Sequence, residues 1–206
     1  MNIGIFPGSF NPVHIGHLVV ANYMAEFAGL DEVWFLITPK SPHKQAAELT
    51  DHELRFQLLQ KAIGNYPKFK INTLEWEMTK PTYTVNTLQK LRLTIPENTY
   101  SLIIGADSWD NIHRWKDYQI LLKNFKTLIY PRPGGNKSTF YHPNAQTVKN
   151  APESGVSSSF IRKALREGKD VRFLLPEGIY EILIEQNVFC VPTNTEIITP
   201  ETPPKE

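Results

Sequence analysis

Gly4-Ile5-Phe6-Pro7-Gly8-Ser9-Phe10-Asn11-Pro12-Val13-His14-Ile15-Gly16-His17 lies at the start of the 206-residue chain and decides how the rest is read. Ile3–Phe6 is an apolar run of strand length, Pro7-Gly8 interrupts it, and helical periodicity begins at His14. A strand passing through a glycine turn into a helix is the unit with which parallel α/β sheets bind ligands at their carboxyl edge. Gly8 lets a phosphate approach the main chain without meeting a Cβ. The helix behind it offers unpaired amides and the positive end of its dipole. His14 and His17, three residues apart, share a face. Ala21, Met24 and Ala28 continue that face and are expected on the sheet, with Asn22 and Glu26 pointing away. Gly16 between the histidines leaves room for a nucleotide. Three other readings compete: core histidines, an unremarkable strand-to-helix connection, or a metal site. Zinc pairs on a helix favour i, i+4, and no third ligand is apparent.

Outward from this stretch the pattern repeats. Val33–Ile37, Leu102–Ile104 and Leu128–Tyr130 are continuous apolar runs, the appearance of strands buried on both faces. Helices are expected over His14–Ala28, closed by Gly29; from Thr50, with Thr50 and Glu53 as a capping box; and over about Val85–Leu93, before Pro96. Residues 131–155 read as a long loop with one short strand near Gln146–Val148. The helices Ser158–Glu167 and Glu177–Gln186 follow, the second with Pro176 set for its first turn. Such alternation predicts a Rossmann-like, doubly wound parallel sheet with helices on both faces, in a single domain over 1–190. The tail 191–206 carries four prolines and is expected to be flexible.

Lys and Arg number 22 against 21 Asp and Glu, a formal net charge of +1. That balance argues against a nucleic-acid partner, which needs an excess of basic side chains. One cysteine, Cys190, leaves no internal disulfide framework. No apolar run approaches the roughly 20 residues that span a bilayer. The N-terminus lacks the basic segment of a signal peptide. A cytoplasmic chain without a membrane partner is expected; a homo-oligomer stays open.

Gly8-Ser9-Phe10-Asn11-Pro12-Val13-His14-Ile15-Gly16-His17 is similar to the G-x-F-x-P-x-H-x-G-H signature of the nucleotidyltransferase superfamily, and Val156-Ser157-Ser158-Ser159-Phe160-Ile161-Arg162 resembles its I-S-S-T-x-I-R element. Within that superfamily the chain most resembles the bacterial nicotinate-nucleotide adenylyltransferases, over about residues 1–190. Pro39-Lys40-Ser41-Pro42-His43-Lys44, Thr82-Tyr83-Thr84-Val85-Asn86-Thr87-Leu88, Gly105-Ala106-Asp107, and Trp115 ahead of Leu121-Leu122 carry the likeness further. Ser9 stands for the commoner Gly or Thr, Ser159 for Thr, and Asn11 for Asp, which removes a charge.

The resemblance implies adenylyl transfer from ATP to nicotinate mononucleotide, giving nicotinic acid adenine dinucleotide and pyrophosphate. His14, His17, Arg162 and Lys44 are then the catalytic candidates. Gly8, Ser9, Phe10, Gly16, His17, Ser157, Ser158, Ile161 and Arg162 would bind ATP, with Arg162 forked onto two phosphate oxygens. Thr84, Asp107, Trp115 and Lys116 would take the mononucleotide: Trp115 by stacking on the pyridine, amides near Thr84 and Lys116 on its carboxylate, Asp107 near ribose or phosphate. Mg2+ would be bridged mainly by ATP phosphates, without a protein metal site. His52, His113 and His142 receive no role.

Rival readings differ in what they require. A class I aminoacyl-tRNA synthetase shares His14-Ile15-Gly16-His17 but needs a longer chain and a Lys-Met-Ser-Lys-Ser-like loop. A nicotinamide mononucleotide or phosphopantetheine adenylyltransferase differs in the acceptor, and the second lacks a counterpart of Thr82–Leu88 and Trp115. A non-catalytic nucleotide-binding module would tolerate loss of either histidine.

Overall fold

The computed structural model describes residues 1–39, 49–134 and 140–189. Six strands form one parallel sheet in the order β3-β2-β1-β4-β5-β6. They are β1 (Asn2–Gly8), β2 (Glu32–Ile37), β3 (Phe69–Asn72), β4 (Thr99–Gly105), β5 (Lys126–Tyr130) and β6 (Ala145–Thr147). Period-two alternation splits the apolar side chains between two cores. Phe6, Val33, Phe35, Ile103 and Leu128 face one side; Ile3, Ile5, Leu36, Leu102, Ile104 and Ile129 face the other.

Helices α1 (Ile15–Phe27), α2 (His52–Ile63), α6 (Ser158–Arg166) and α7 (Ile179–Glu185) cover the first face. Helices α3 (Thr84–Thr94), α4 (Ala106–Trp109) and α5 (Tyr118–Asn124) cover the second. The sheet is therefore doubly wound, as the alternation predicts. Its strand order reverses at β1, where β2 lies on one side and β4 on the other. Between the carboxyl ends of β1 and β4 the crossover helices diverge and leave a crevice.

Several boundaries differ from the sequence reading. His14 is the N-cap of α1 with extended backbone, and Ala28 is its C-cap, with Gly29 beyond it at φ +72°. Thr50 does not cap α2. Asp51 does, its carboxylate accepting from the Glu53 amide at 3.3 Å. Thr50 instead donates its amide and hydroxyl to the Asn11 side-chain oxygen at 3.2 and 2.6 Å, tying α2 to the first turn. Helix α7 starts at Ile179 behind Gly178 at φ +73°, so Pro176 lies before it. Strand β3 and the short helices α4 and α5 are additions. Among the described residues no helix is long and apolar enough to cross a membrane. Lys44 and the tail from 190 onward lie outside the described residues.

Candidate active site

The carboxyl edges of β1, β4 and β5 open on a cleft of about 730 Å³, within the range of small-molecule sites. Its floor is the first turn, Gly8, Ser9 and Phe10, with His14 and His17 beside it. Ser157, Ser158 and Ser159 line it as well, as do Thr84, Gly105, Asp107, Trp115 and Lys116.

Two segments about 150 residues apart meet here through main-chain carbonyls of the first turn. Ser158 Oγ donates to the Pro12 carbonyl at 2.9 Å, and Arg162 Nη1 donates to the Asn11 carbonyl at 3.0 Å. Ser157 caps α6, its hydroxyl accepting from the Phe160 amide at 3.2 Å. Thr38 adds its amide to the Gly8 carbonyl at 3.0 Å.

The imidazoles of His14 and His17 stack with centroids 3.7 Å apart. His17 Nδ1 accepts the His14 amide at 3.2 Å, so a neutral His17 carries its proton on Nε2. His14 is 3% exposed. Burial, reinforced by the charge of Arg132, pushes its pKa down to about 3, so it is neutral at physiological pH.

That depression gives a sign for acid stability. Between pH 6.5 and about 3 the unfolded chain protonates this imidazole and the native state does not. The fold therefore loses stability as pH falls through that window, at about 1.4 kcal/mol per pH unit for one proton. His14→Gln is expected to remove this slope. Urea midpoints of both proteins at pH 7, 6 and 5 check it, and parallel curves would contradict it.

Not every expected residue reaches the cleft. Ile161 is fully buried in the core. A Cβ on Gly16 would lie 2.8 Å from Ser154 Oγ and 3.1 Å from the His14 ring, so side chains of this protein fill the space reserved above for a nucleotide. Arg162, 9% exposed, is not on the cleft wall; its guanidinium spans the Asn11 carbonyl and, at 3.4 Å, Ser159 Oγ. Asn11 is buried with its side chain turned to Thr50. Trp115 both packs on the second core and lines the cleft.

Other wall residues carried no expectation. Glu75, 2% exposed, accepts hydroxyl bonds from Thr82 at 3.1 Å and Thr87 at 2.8 Å, and burial raises its pKa. Arg132 donates to the Tyr130 hydroxyl at 2.9 Å and lies 3.5 Å from Asp107. Its signal was Pro131-Arg132-Pro133, a cation directly behind a buried strand. Among the described residues no group of three or more His, Cys, Asp or Glu could hold a metal ion.

Residues 5–164 match the cytidylyltransferase-like family. A probable nicotinate-nucleotide adenylyltransferase of Azobacteroides pseudotrichonymphae is 54% identical over 179 residues, 87% of this chain and 94% of that one. One of Bacteroides fragilis is 46% identical over 183 residues, 89% and 91% of the two chains. The chain belongs to the nicotinate-nucleotide adenylyltransferase family. The Plasmodium falciparum nicotinic acid mononucleotide adenylyltransferase complexed with NaAD shares the fold, at TM-score 0.76 and 21% identity over 91% of this chain and 97% of that one. Residues of both of the family's signatures thus line a single crevice in this chain.

Proposed function

We propose that this cleft transfers the adenylyl group of ATP to nicotinate mononucleotide, releasing pyrophosphate and forming nicotinic acid adenine dinucleotide, a step of NAD biosynthesis. The observation that carries the reading is the shared cleft of the histidine pair and the serine-capped helix, joined by the Ser158–Pro12 hydrogen bond.

The acceptor supplies its own nucleophile. A phosphate monoester has a second pKa of about 6, so at neutral pH it is mostly a dianion and needs no general base. The protein's work is to align two mutually repelling anions and to neutralise charge that moves onto the leaving pyrophosphate. His17 Nε2–H and the neutral His14 donate around the transferred phosphorus. Amides of the Gly8–Phe10 turn and the capped start of α6 take the remaining phosphate oxygens. Arg162 acts through the turn carbonyl that it holds and by its charge, and Lys44 remains the candidate cation of the 39–44 segment. The acids on the wall are already engaged, Asp107 beside Arg132 and Glu75 with two hydroxyls. That donor set suits Mg2+ arriving with ATP, held by phosphate oxygens and water.

Tyr83 is the N-cap of α3 and gives it no side-chain hydrogen bond, so the amides after Tyr83 suit the ring carboxylate. The indole of Trp115 suits the electron-poor ring. Trp115→Ala is expected to raise KM for the mononucleotide about tenfold, the equivalent of about 1.4 kcal/mol of stacking, and KM for ATP by less than about threefold. Equal increases would mark a structural tryptophan. One cysteine in the whole chain and diffusible nucleotide substrates fit a cytoplasmic enzyme.

Pyrophosphate release from ATP with nicotinate mononucleotide, nicotinamide mononucleotide and phosphopantetheine in parallel tests the reading. The first is expected to be the best substrate. A preference for either of the others reassigns the acceptor, and no release with any of them leaves a binding module.

A further inference from the structure

Arg55, in the first turn of α2, is 0% exposed and the largest of the fully buried side chains. Its guanidinium makes four hydrogen bonds, each to a main-chain carbonyl: Nη1 to Ser9 and Thr38 at 2.8 Å each, Nη2 to Pro39 at 3.2 Å, and Nε to Thr50 at 3.2 Å. One planar cation thereby joins the turn after β1, the chain leaving β2 and the entry to α2. A buried charge is costly, and a well-packed apolar side chain would stabilise such a position as well or better. Carbonyl dipoles solvate this charge, and the Asp51 carboxylate at the N-cap of α2 acts on it as well.

The acceptor on Ser9 gives the arrangement its direction. The peptide between Ser9 and Phe10 is trans, so its C=O and N–H point in opposite directions. A guanidinium that holds the Ser9 carbonyl turns the Phe10 N–H away from itself. Phe10 has φ +44°, a left-handed conformation that a bulky residue keeps only when its surroundings impose it. Ser9, Phe10 and Thr38 all line the cleft, whereas Arg55 does not.

We propose that Arg55 is a positioning residue for the triphosphate: it fixes the Ser9–Phe10 peptide with the Phe10 N–H directed at a phosphate oxygen. This rests on the cleft's being the ATP site. Contact with substrate is made by the turn; Arg55 acts through it.

Two measurements test the proposal. In the native protein, inorganic tripolyphosphate with magnesium is titrated while amide resonances are followed. The Phe10 amide is expected to shift with saturation, and a Phe10 resonance that stays in place while others move overturns the proposal. The second measurement compares Arg55→Lys and Arg55→Met with the native enzyme in KM for both substrates. Arg55→Lys, which keeps the charge but loses the planar fork, is expected to raise KM for ATP at least tenfold, with KM for the mononucleotide changed less than threefold. Arg55→Met is expected to be worse, or unfolded at the assay temperature. A folded Arg55→Lys with unchanged KM for ATP, or with both KM values raised alike, overturns the positioning role. Failure of the native enzyme to use nicotinate mononucleotide while the Phe10 amide still responds would instead sink the acceptor assignment alone.

Discussion

Replacing His17 with alanine is expected to lower turnover on the order of a hundredfold, the usual loss when one preorganised donor to a developing anion is removed. The size follows from what this imidazole does. Its Nδ1 is committed to the His14 amide, which fixes the proton on Nε2 and holds the ring at the start of α1. Phe6 and Phe10 pack edge-on against the same ring at 6.2 and 5.0 Å, so the donor needs no reorganisation to act. The substitution also removes a cap, at a cost of about 1 kcal/mol in stability. Rates are therefore compared at a temperature where both proteins are folded. His17→Gln, which restores an N–H near the Nε2 position but not the cap, is expected to recover part of the rate. Pyrophosphate release at the native rate from His17→Ala would remove this residue from the mechanism.

Gly8→Ala is expected to damage both fold and catalysis. A Cβ there would lie 2.8 Å from Phe10 Cζ and 3.0 Å from both Cε atoms. The ring has nowhere to go. Phe6, His17 and Phe35 surround it at centroid distances of 5.8, 5.0 and 5.5 Å, and Phe10 is buried. Overpacking of this kind costs about 1–3 kcal/mol. Any relief that moves Phe10 also moves the phosphate turn and the partner ring of His17. A lower urea midpoint together with a raised KM for ATP is the expected pair of results. Native stability with weaker ATP binding alone would show that the glycine serves only the ligand, the role its sequence context suggests.

The layout of the sheet was legible because its central strands are buried on both faces and read as unbroken apolar runs. Strand β3 was not, since Phe-Lys-Ile-Asn lies next to only β2 and keeps polar side chains. Helices α4 and α5, four and seven residues long, are too short for a helical period to declare itself. Thr50 looked like a cap because its spacing to Glu53 fits one; a partner 39 residues away, Asn11, won the hydroxyl. In the site, the histidines and serines were legible from motifs. The buried Arg55 and Glu75 were not, nor was the half-buried Arg132, because all three look in sequence like solvated surface residues. One signal was available: Arg55 precedes Leu58 and Leu59 by three and four positions, which sets it on the apolar stripe of α2.

The most direct test of the convergence of both signature segments on one polyphosphate is a crystal structure with magnesium and an ATP analogue that cannot be cleaved between its α and β phosphates. Phosphate oxygens are expected within about 3.2 Å of both His17 Nε2 and the Ser157–Ser158 cap. A triphosphate that contacts only one of these, or lies outside the cleft, would contradict the account.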